Sequence, residues 1–423
     1  MTHAGDSDVS PARPSTRWWA VMAVLAVGSV GWLLGWLVYD LRDRTQLDFA
    51  VYVLGSHHLV DGQLYHASLP YAPYLPFTYP PFAALVFTPL AVLARPTAQV
   101  VWAVVNTASL FGIIALSLRA VRPRIDRARL VMWSVVLLGP AGQLDPVRLT
   151  LYFGQVNLVL CFALLADLTT TLEFGGVRLP RGVLVGIAAA VKLVPLVFVP
   201  YLFVTRQVRA GWTALVTFAA CSLLATALDP STSWSYWTKY ATDAARVGNP
   251  WYISNQSLQG TLDRLAHRSL SSAVVDALGA VVLVAGIAVA RWAWRDSSPF
   301  LGVVVCATTG MIVSPITWEH HLVWAVPALV WLAVAADRPA GGPVWAAAGV
   351  AVLWWAPLQY VPWGGTRELH EHGWDVLGAN SFFALLLLFL VGVAAMLAVR
   401  RSRGPTDRVS RRASPAASAA APT

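Results

Sequence analysis

Lys192 stands in the middle of the run 182–201, in which no other residue is charged, and it is one of only two lysines in the chain, the other being Lys239. An ammonium at the centre of a bilayer costs about 2.5–3.5 kcal/mol even on the gentlest insertion scale. A chain that keeps such a residue must fold so that the segment lines an interior site where something anionic meets the charge. Composition supplies the solvent for that argument. Hydrophobic residues make up 57% and charged residues 12% of the sequence, against about 25% charged in soluble domains. The expectation is an all-α polytopic membrane protein, because helices satisfy their own backbone hydrogen bonds in lipid. No stretch outside the apolar runs reaches the ~100 residues of an ordinary soluble domain. The domain reading is therefore a single transmembrane unit over 18–399, with disordered cytoplasmic tails at 1–17 and 400–423. The first run, 18–39, is too long for a signal-peptide core and is expected to stay as an anchor.

Measured against the ~20 residues that span a bilayer, the sequence contains about 12 hydrophobic segments. They are 18–39, 79–95, 97–118, 130–143, 156–172, 182–204, 210–228, 271–294, 299–317, 320–336, 343–358 and 379–399. The formal charge of +9 collects in short loops at 119–129, 206–209 and 400–403, and positive loops stay cytoplasmic. Twelve full crossings would put the 119–129 cluster on the wrong side. The conflict resolves if two Pro-containing segments are re-entrant, 79–95 from outside and 182–204 from inside. Two large extracytoplasmic loops, 40–78 and 229–270, then face the same compartment. Arginines in short loops at segment ends do not make a nucleic-acid surface. Cys161, Cys221 and Cys306 lie in apolar segments without paired spacing. Gly31 and Gly35 are spaced for close helix packing.

The polar residues that could carry chemistry gather in the outer loops. Asp48 opens an apolar stretch, and a carboxylate held near the headgroup level gains proton affinity and can act as a general base; a helix cap or a partner for Arg44 would explain it equally. Gln155 and Asn157 begin an apolar segment. Asn255 and Gln256 lie among Trp and Tyr residues, a setting that suits sugars, with rings against pyranose faces and amides to hydroxyls. His320 and His321 stand where an apolar segment ends and could orient or protonate a phosphate. No second cluster at ligand spacing accompanies them, so no metal site is expected. The acidic string Asp6-Ser7-Asp8 falls in the N-terminal tail and is set aside.

Taken in order, these blocks resemble glycosyltransferase family 87, in particular the membrane α-1,2-mannosyltransferases of mycobacterial phosphatidylinositol-mannoside synthesis. The matching blocks are Asp48-Phe-Ala-Val-Tyr52-Val-Leu-Gly55, Gly62-Gln-Leu-Tyr65, Pro76-Phe-Thr-Tyr-Pro-Pro-Phe82, and Asp145-Pro-Val-Arg148 with Phe153-Gly-Gln-Val-Asn157. They continue with Gly186 to Pro195, Asn255-Gln-Ser257 and Ser314-Pro-Ile-Thr-Trp-Glu-His-His321. The resemblance implies a GT-C fold and an inverting transfer of mannose, in α-1,2 linkage, from polyprenyl-phosphate-mannose to a phosphatidylinositol-mannoside or lipomannan type of glycolipid. The reaction would take place at the extracytoplasmic face of the plasma membrane. It implies Asp48 as the catalytic base. Lys192, His320, His321, Arg148, Gln155 and Asn157 become candidates for the donor phosphate and sugar, and Asn255, Gln256, Tyr52 and Tyr79 for the acceptor sugar. No cofactor or divalent metal is required if basic residues carry the phosphate. The expected partners are the lipid-phosphate donor, the glycolipid acceptor and membrane lipids. Val194, Thr317 and Glu319 depart from the family pattern, and Glu319 could alter acceptor choice. A transferase for another polyprenyl-linked sugar such as arabinose, or a lipid-linked sugar flippase, are the competing readings.

Overall fold

The structure, a computed structural model, describes residues 15–43 and 46–402. Asp6-Ser7-Asp8, Arg44 and most of both tails lie outside the described residues. At their inner ends the expected disordered tails are helical, since α1 begins at Thr16 and the last helix runs through Ser402.

The chain is a succession of helices in the order α1 (Thr16–Asp43), α2 (Leu47–His57), α3 (Pro81–Ala91), α4 (Arg95–Val121), α5 (Arg127–Gly142) and α6 (Asp145–Phe153). Then come α7 (Asn157–Thr169), α8 (Val183–Val191), α9 (Phe198–Val204), α10 (Val208–Leu228), α11 (Pro230–Ser235) and α12 (Leu258–Leu265). The rest is α13 (Ser272–Asp296), α14 (Pro299–Val313), α15 (Ala325–Val334), α16 (Gly342–Trp355), α17 (Trp374–Ala379) and α18 (Ser381–Ser402). A two-residue antiparallel ribbon pairs Glu173–Phe174 with Val177–Arg178. Among the described residues five helices are long and apolar enough to cross a membrane, α1, α4, α10, α13 and α18, or six if α5 and α6 are one bent span. The other apolar runs are shorter helices, so only about half of the 12 hydrophobic segments correspond to helices of spanning length.

Short helices have a local cause. One end each of α7, α8, α14 and α15 meets the polar residues around Lys192 and the 314–324 segment, and there the chain unwinds. In the run 182–204, α8 stops at Val191, Lys192 is extended (φ −150°, ψ 128°), and a 3-10 turn at Val194–Val197 carries Pro195 before α9 begins. Proline lacks the amide a helix would need and pushes its predecessor out of the helical region. Irregular backbone at this depth is tolerated where it lines a protein-enclosed site.

The loops sort to two ends of the bundle. At one end the Gly62 amide donates to Asp229 (3.2 Å), Trp251 Nε1 to the Gly365 carbonyl (3.2 Å) and Gln256 Nε2 to the Ala379 carbonyl (2.7 Å). At the other, Arg181 donates to Gln207 (2.9 Å), Arg291 to the Val204 carbonyl (2.9 Å) and Arg400 to the Asp337 carbonyl (2.6 Å). Arg122, Arg124 and Arg129 belong to this second end, where they share a cavity wall with Ala336 and Pro343. The Arg181–Gln207 contact means that α8 rises to Lys192 and α9 returns to the end it started from. Similarly, α3 leaves the loop at Pro80 and the chain comes back at Arg95, which donates to the Tyr71 hydroxyl (3.3 Å). With 11 residues, α3 is about 16 Å long, half of the ~30 Å hydrocarbon thickness. The sharpest turn falls elsewhere: α5 and α6 meet at 80°, which lays α6 across the bundle end.

The glycine expectation is corrected. A Cβ placed on Gly31 or Gly35 would meet nothing within 4 Å, whereas one on Gly139 would lie 2.6 Å from the Ser29 carbonyl and one on Gly142 2.8 Å from Leu33. The close approach of α1 and α5 is thus made by the glycines of α5. The Ser29 hydroxyl ties the two, donating to Val135 O (2.9 Å) and accepting from the Gly139 amide (2.7 Å).

Candidate active site

Asp48 lies in the first turn of α2, a helix that buries Phe49, Val51, Tyr52 and Gly55. Its carboxylate therefore sits at the positive end of a helix dipole. The N-cap is Gln46 and makes no side-chain cap, so Asp48 is not held in place as a capping residue. Burial pushes its carboxyl up to about 6, while a hydrogen bond from Gln155 and the charge of Lys192 pull the other way without cancelling the desolvation.

Gln155 reaches Asp48 because Gly154 turns the chain. Gly154 has φ 66°, closes α6, and leaves no room for a Cβ, which would lie 2.7 Å from Phe49 Cβ; only glycine adopts this conformation without cost. Its carbonyl accepts from Trp102 Nε1 (2.7 Å). Gln155 Oε1 then accepts from Tyr52 (2.7 Å), the Tyr52 hydroxyl lies 3.1 Å from that of Tyr79, and Gln155 Nε2 is 3.3 Å from the Tyr79 hydroxyl. Tyr52 is fully buried and stacks on Phe87 with centroids 4.2 Å apart. Tyr52 and Tyr79 thus belong to the wall that holds Gln155 beside Asp48.

Lys192 Nζ donates to Asn157 Oδ1 (2.9 Å), lies 2.9 Å from His321 Nε2, and sits 5.8 Å from the centre of the Tyr79 ring. Tyr79 is therefore the bridge between the acid and the cation. Lys192, Asn157, Thr317, His321 and Trp324 line a cavity of about 50 Å³. His320 points elsewhere. Its carbonyl accepts from Thr150 (2.9 Å) and Asn157 Nδ2 (3.0 Å), its ring meets Phe153 and His321 edge-on, and its Nε2 is buried with no protein partner. Of the histidine pair, His321 is the one at the lysine. Asn157 serves both, one end of its amide on Lys192 and the other on the histidine turn.

Arg148 belongs to a neighbouring acidic cluster. It pairs with the fully buried Asp145 at 2.5 Å. Glu319 stands nearby and accepts from Ser254 (2.9 Å) and Gln359 (3.0 Å).

Asn255 and Gln256 are not where an acceptor-sugar role would put them. Both are 0% exposed. Asn255 Nδ2 donates to Pro250 and Pro315 carbonyls, and its Oδ1 accepts from the amides of Thr317 (2.8 Å) and Ser257 (3.2 Å). Gln256 is used at both ends by Ile253, Ala379 and Phe383. With every amide group occupied, the pair holds the 314–318 segment, and through it the histidine turn. Sequence reasoning also passed over Arg264, 1% exposed, whose guanidinium binds Asn380 Oδ1 (2.8 and 3.1 Å) and the carbonyls of Trp251, Tyr252 and Asn255. The available signal was an arginine on the strongly amphipathic α12. Among the described residues no group of three or more His, Cys, Asp or Glu side chains converges as a metal site would require.

The arrangement can hold an anionic group at Lys192 and His321 while a base of raised proton affinity waits across Tyr79. The profile of glycosyltransferase family 87 matches residues 77–315. A Mycobacterium tuberculosis H37Rv protein described as a polyprenol-phosphate-mannose-dependent alpha-(1-2)-phosphatidylinositol mannoside mannosyltransferase is 31% identical, covering 91% of this chain and 93% of its own. Its Mycolicibacterium smegmatis counterpart is 30% identical over 89% of this chain and 90% of its own. A relative from M. tuberculosis CDC 1551, described as acting on phosphatidylinositol pentamannoside, is 32% identical over 84% and 80%. No solved structure matches. Family profile, relatives spanning nearly the whole chain and the joined Asp48–Gln155–Tyr79–Lys192–His321 cluster agree: this chain belongs to glycosyltransferase family 87.

Proposed function

We propose that this glycosyltransferase takes mannose from polyprenyl-phosphate-mannose and joins it in α-1,2 linkage to a phosphatidylinositol mannoside at the extracytoplasmic membrane face. The relatives' donor and acceptor support the substrate assignment, and the arginine-rich loops at the opposite end of the bundle support the sidedness. One observation carries the chemistry: Asp48 and Lys192 face one aromatic-walled site from two separate segments, one suited to take a proton and the other to receive a phosphate.

Asp48 accepts the proton of the incoming acceptor hydroxyl as its oxygen attacks the anomeric carbon. The bond from that carbon to the phosphate oxygen breaks, and polyprenyl phosphate leaves with the bonding pair. The developing charge on the phosphate falls beside the Lys192 ammonium, which Asn157 Oδ1 and His321 Nε2 already hold in place as acceptors. A single displacement converts the β-linked donor into an α-mannoside. We read α3 and α8–α9 as the two re-entrant elements that bring these groups to a common depth, within the GT-C fold over 18–399. Purified protein in detergent, given radiolabelled polyprenyl-phosphate-mannose and a phosphatidylinositol mannoside, should form a labelled glycolipid that α-1,2-mannosidase digests. A product resistant to that enzyme, or transfer only from a polyprenyl-linked arabinose, would overturn the assignment.

A further inference from the structure

A cavity of about 1110 Å³ opens between α4, α5, α15 and α16. Leu118 of α4, Trp133 and Leu137 of α5, Val330 of α15 and Trp354 of α16 are among its walls. Pockets for small ligands run to about 300–1,000 Å³, so this void is large enough for hydrocarbon chains. All the charged side chains in its lining are arginines gathered at one end of the helices, Arg122 and Arg124 between α4 and α5 and Arg129 in the first turn of α5.

That end is remote from the active site. Trp102, which bonds Gly154 beside Gln155, is near the start of α4, and Arg122 follows its last residue. Twenty residues of helix separate the two by about 30 Å, the thickness of the hydrocarbon core. The rim keeps a positive surplus: Asp126 pairs with Arg129 (3.1 Å), while Arg122 and Arg124 are exposed. The loop between them has a defined shape, since Arg119 donates to the Ile125 carbonyl (3.1 Å) and Asp126 caps α5 through the Arg129 amide (2.9 Å).

An apolar void between four apolar helices, rimmed at one end by arginines, matches a lipid whose headgroup carries a phosphate. We infer that this cavity binds an anionic phospholipid of the leaflet opposite the active site, with its phosphate on Arg122, Arg124 and Arg129 and its acyl chains between α4, α5, α15 and α16. The donor's prenyl chain explains less, because its only anionic group is taken at Lys192, a membrane thickness away. The bound lipid would wedge α15, which continues from the histidine turn, against α4, which carries Trp102.

Native mass spectrometry of the full chain, released from nanodiscs holding equal phosphatidylglycerol and phosphatidylethanolamine of matched chains, tests this. The wild type should retain phosphatidylglycerol about tenfold over phosphatidylethanolamine. Arg122→Ala with Arg124→Ala should bring the two lipids to near-equal retention, since two basic side chains at an anionic headgroup account for the whole of a tenfold preference. The paired Lys variants should keep most of it, and thermal unfolding of the Ala pair should show that it is folded. Ala347→Trp, which fills the cavity and leaves the arginines in place, should expel the lipid as well. Equal retention of the two lipids, retention unchanged in the Ala pair, or retention unchanged in Ala347→Trp would each overturn the proposal. So would one-for-one displacement of phosphatidylglycerol by polyprenyl phosphate, which would make the cavity the donor-chain groove.

Discussion

Asp48 and Lys192 come from different segments and act on each other through space, while their direct partners, Gln155 on one side and Asn157 with His321 on the other, hold each in position. This division of labour has a pH signature. A base must be ionised to work, and burial places the Asp48 carboxyl at about 6. Ionisation of Asp48 should therefore give kcat/KM an acid limb that falls tenfold per unit below pH 6. Asp48→Asn should lower kcat by about 10²–10⁴-fold, the range for general-base catalysis, and abolish that acidic limb in the residual rate, while donor binding measured by equilibrium dialysis stays intact. A mutant that keeps the limb would assign it to another group. Asn255 makes the opposite prediction. Its truncation leaves the buried Thr317 and Ser257 amides without their acceptor, at about 2–4 kcal/mol in all. Asn255→Ala should thus lower the thermal midpoint in detergent, and any remaining folded enzyme should retain its KM for acceptor. A raised KM with unchanged stability would restore the sugar-contact role.

Helices that end at the active site are short, whereas the longest helices run past it. The 13 residues of α7 and 9 of α8 stop where Asn157 and Lys192 stand, whereas α4 and α13 run for 27 and 25 residues. Unwinding places polar side chains and free backbone groups at the site's depth, and the cost is contained because protein rather than lipid surrounds the break. Between α1 and α5 the determinant is clearance. Gly139→Leu would drive a side chain into the Ser29 backbone, and overpacking of this kind costs about 1–3 kcal/mol or more. Gly31→Leu should be near neutral, since nothing lies within 4 Å of its Cβ position. Parallel thermal unfolding of the two variants checks this, and equal destabilisation would reassign the interface.

At the scale of the molecule the bundle has a chemical end and a basic end. Asp48, Lys192, His321 and the buried Arg264 scaffold lie toward one; the arginine loops and the lipid-sized cavity lie at the other. Thr366→Cys, exposed on the loop that bonds Trp251 and His267, should react with a membrane-impermeant maleimide in intact cells. Arg209→Cys, exposed at the opposite end, should react only after lysis. The native thiols lie within α7, α10 and α14 and provide the background. Labelling of Arg209→Cys in intact cells would invert the orientation.

Much of this was legible in the order of residues. Apolar runs and loop arginines set the membrane class and the sorting of loops, because spanning and charge asymmetry are properties of contiguous segments. Lys192 beside Pro195 marked a break, since a buried charge and a missing amide are both local facts. Asp48, Gln155 and the double histidine stood out by motif. Tertiary structure alone decided which of these meet. Asn157 and His321 lie 35 and 129 residues from Lys192, and no local pattern states that they share its ammonium. It also turned Asn255 and Gln256 from ligand contacts into scaffold, chose Gly139 over Gly31, and bent α5 from α6. The reason is the same each time: sequence encodes what a residue can do, and packing of distant segments decides which neighbour it does it to.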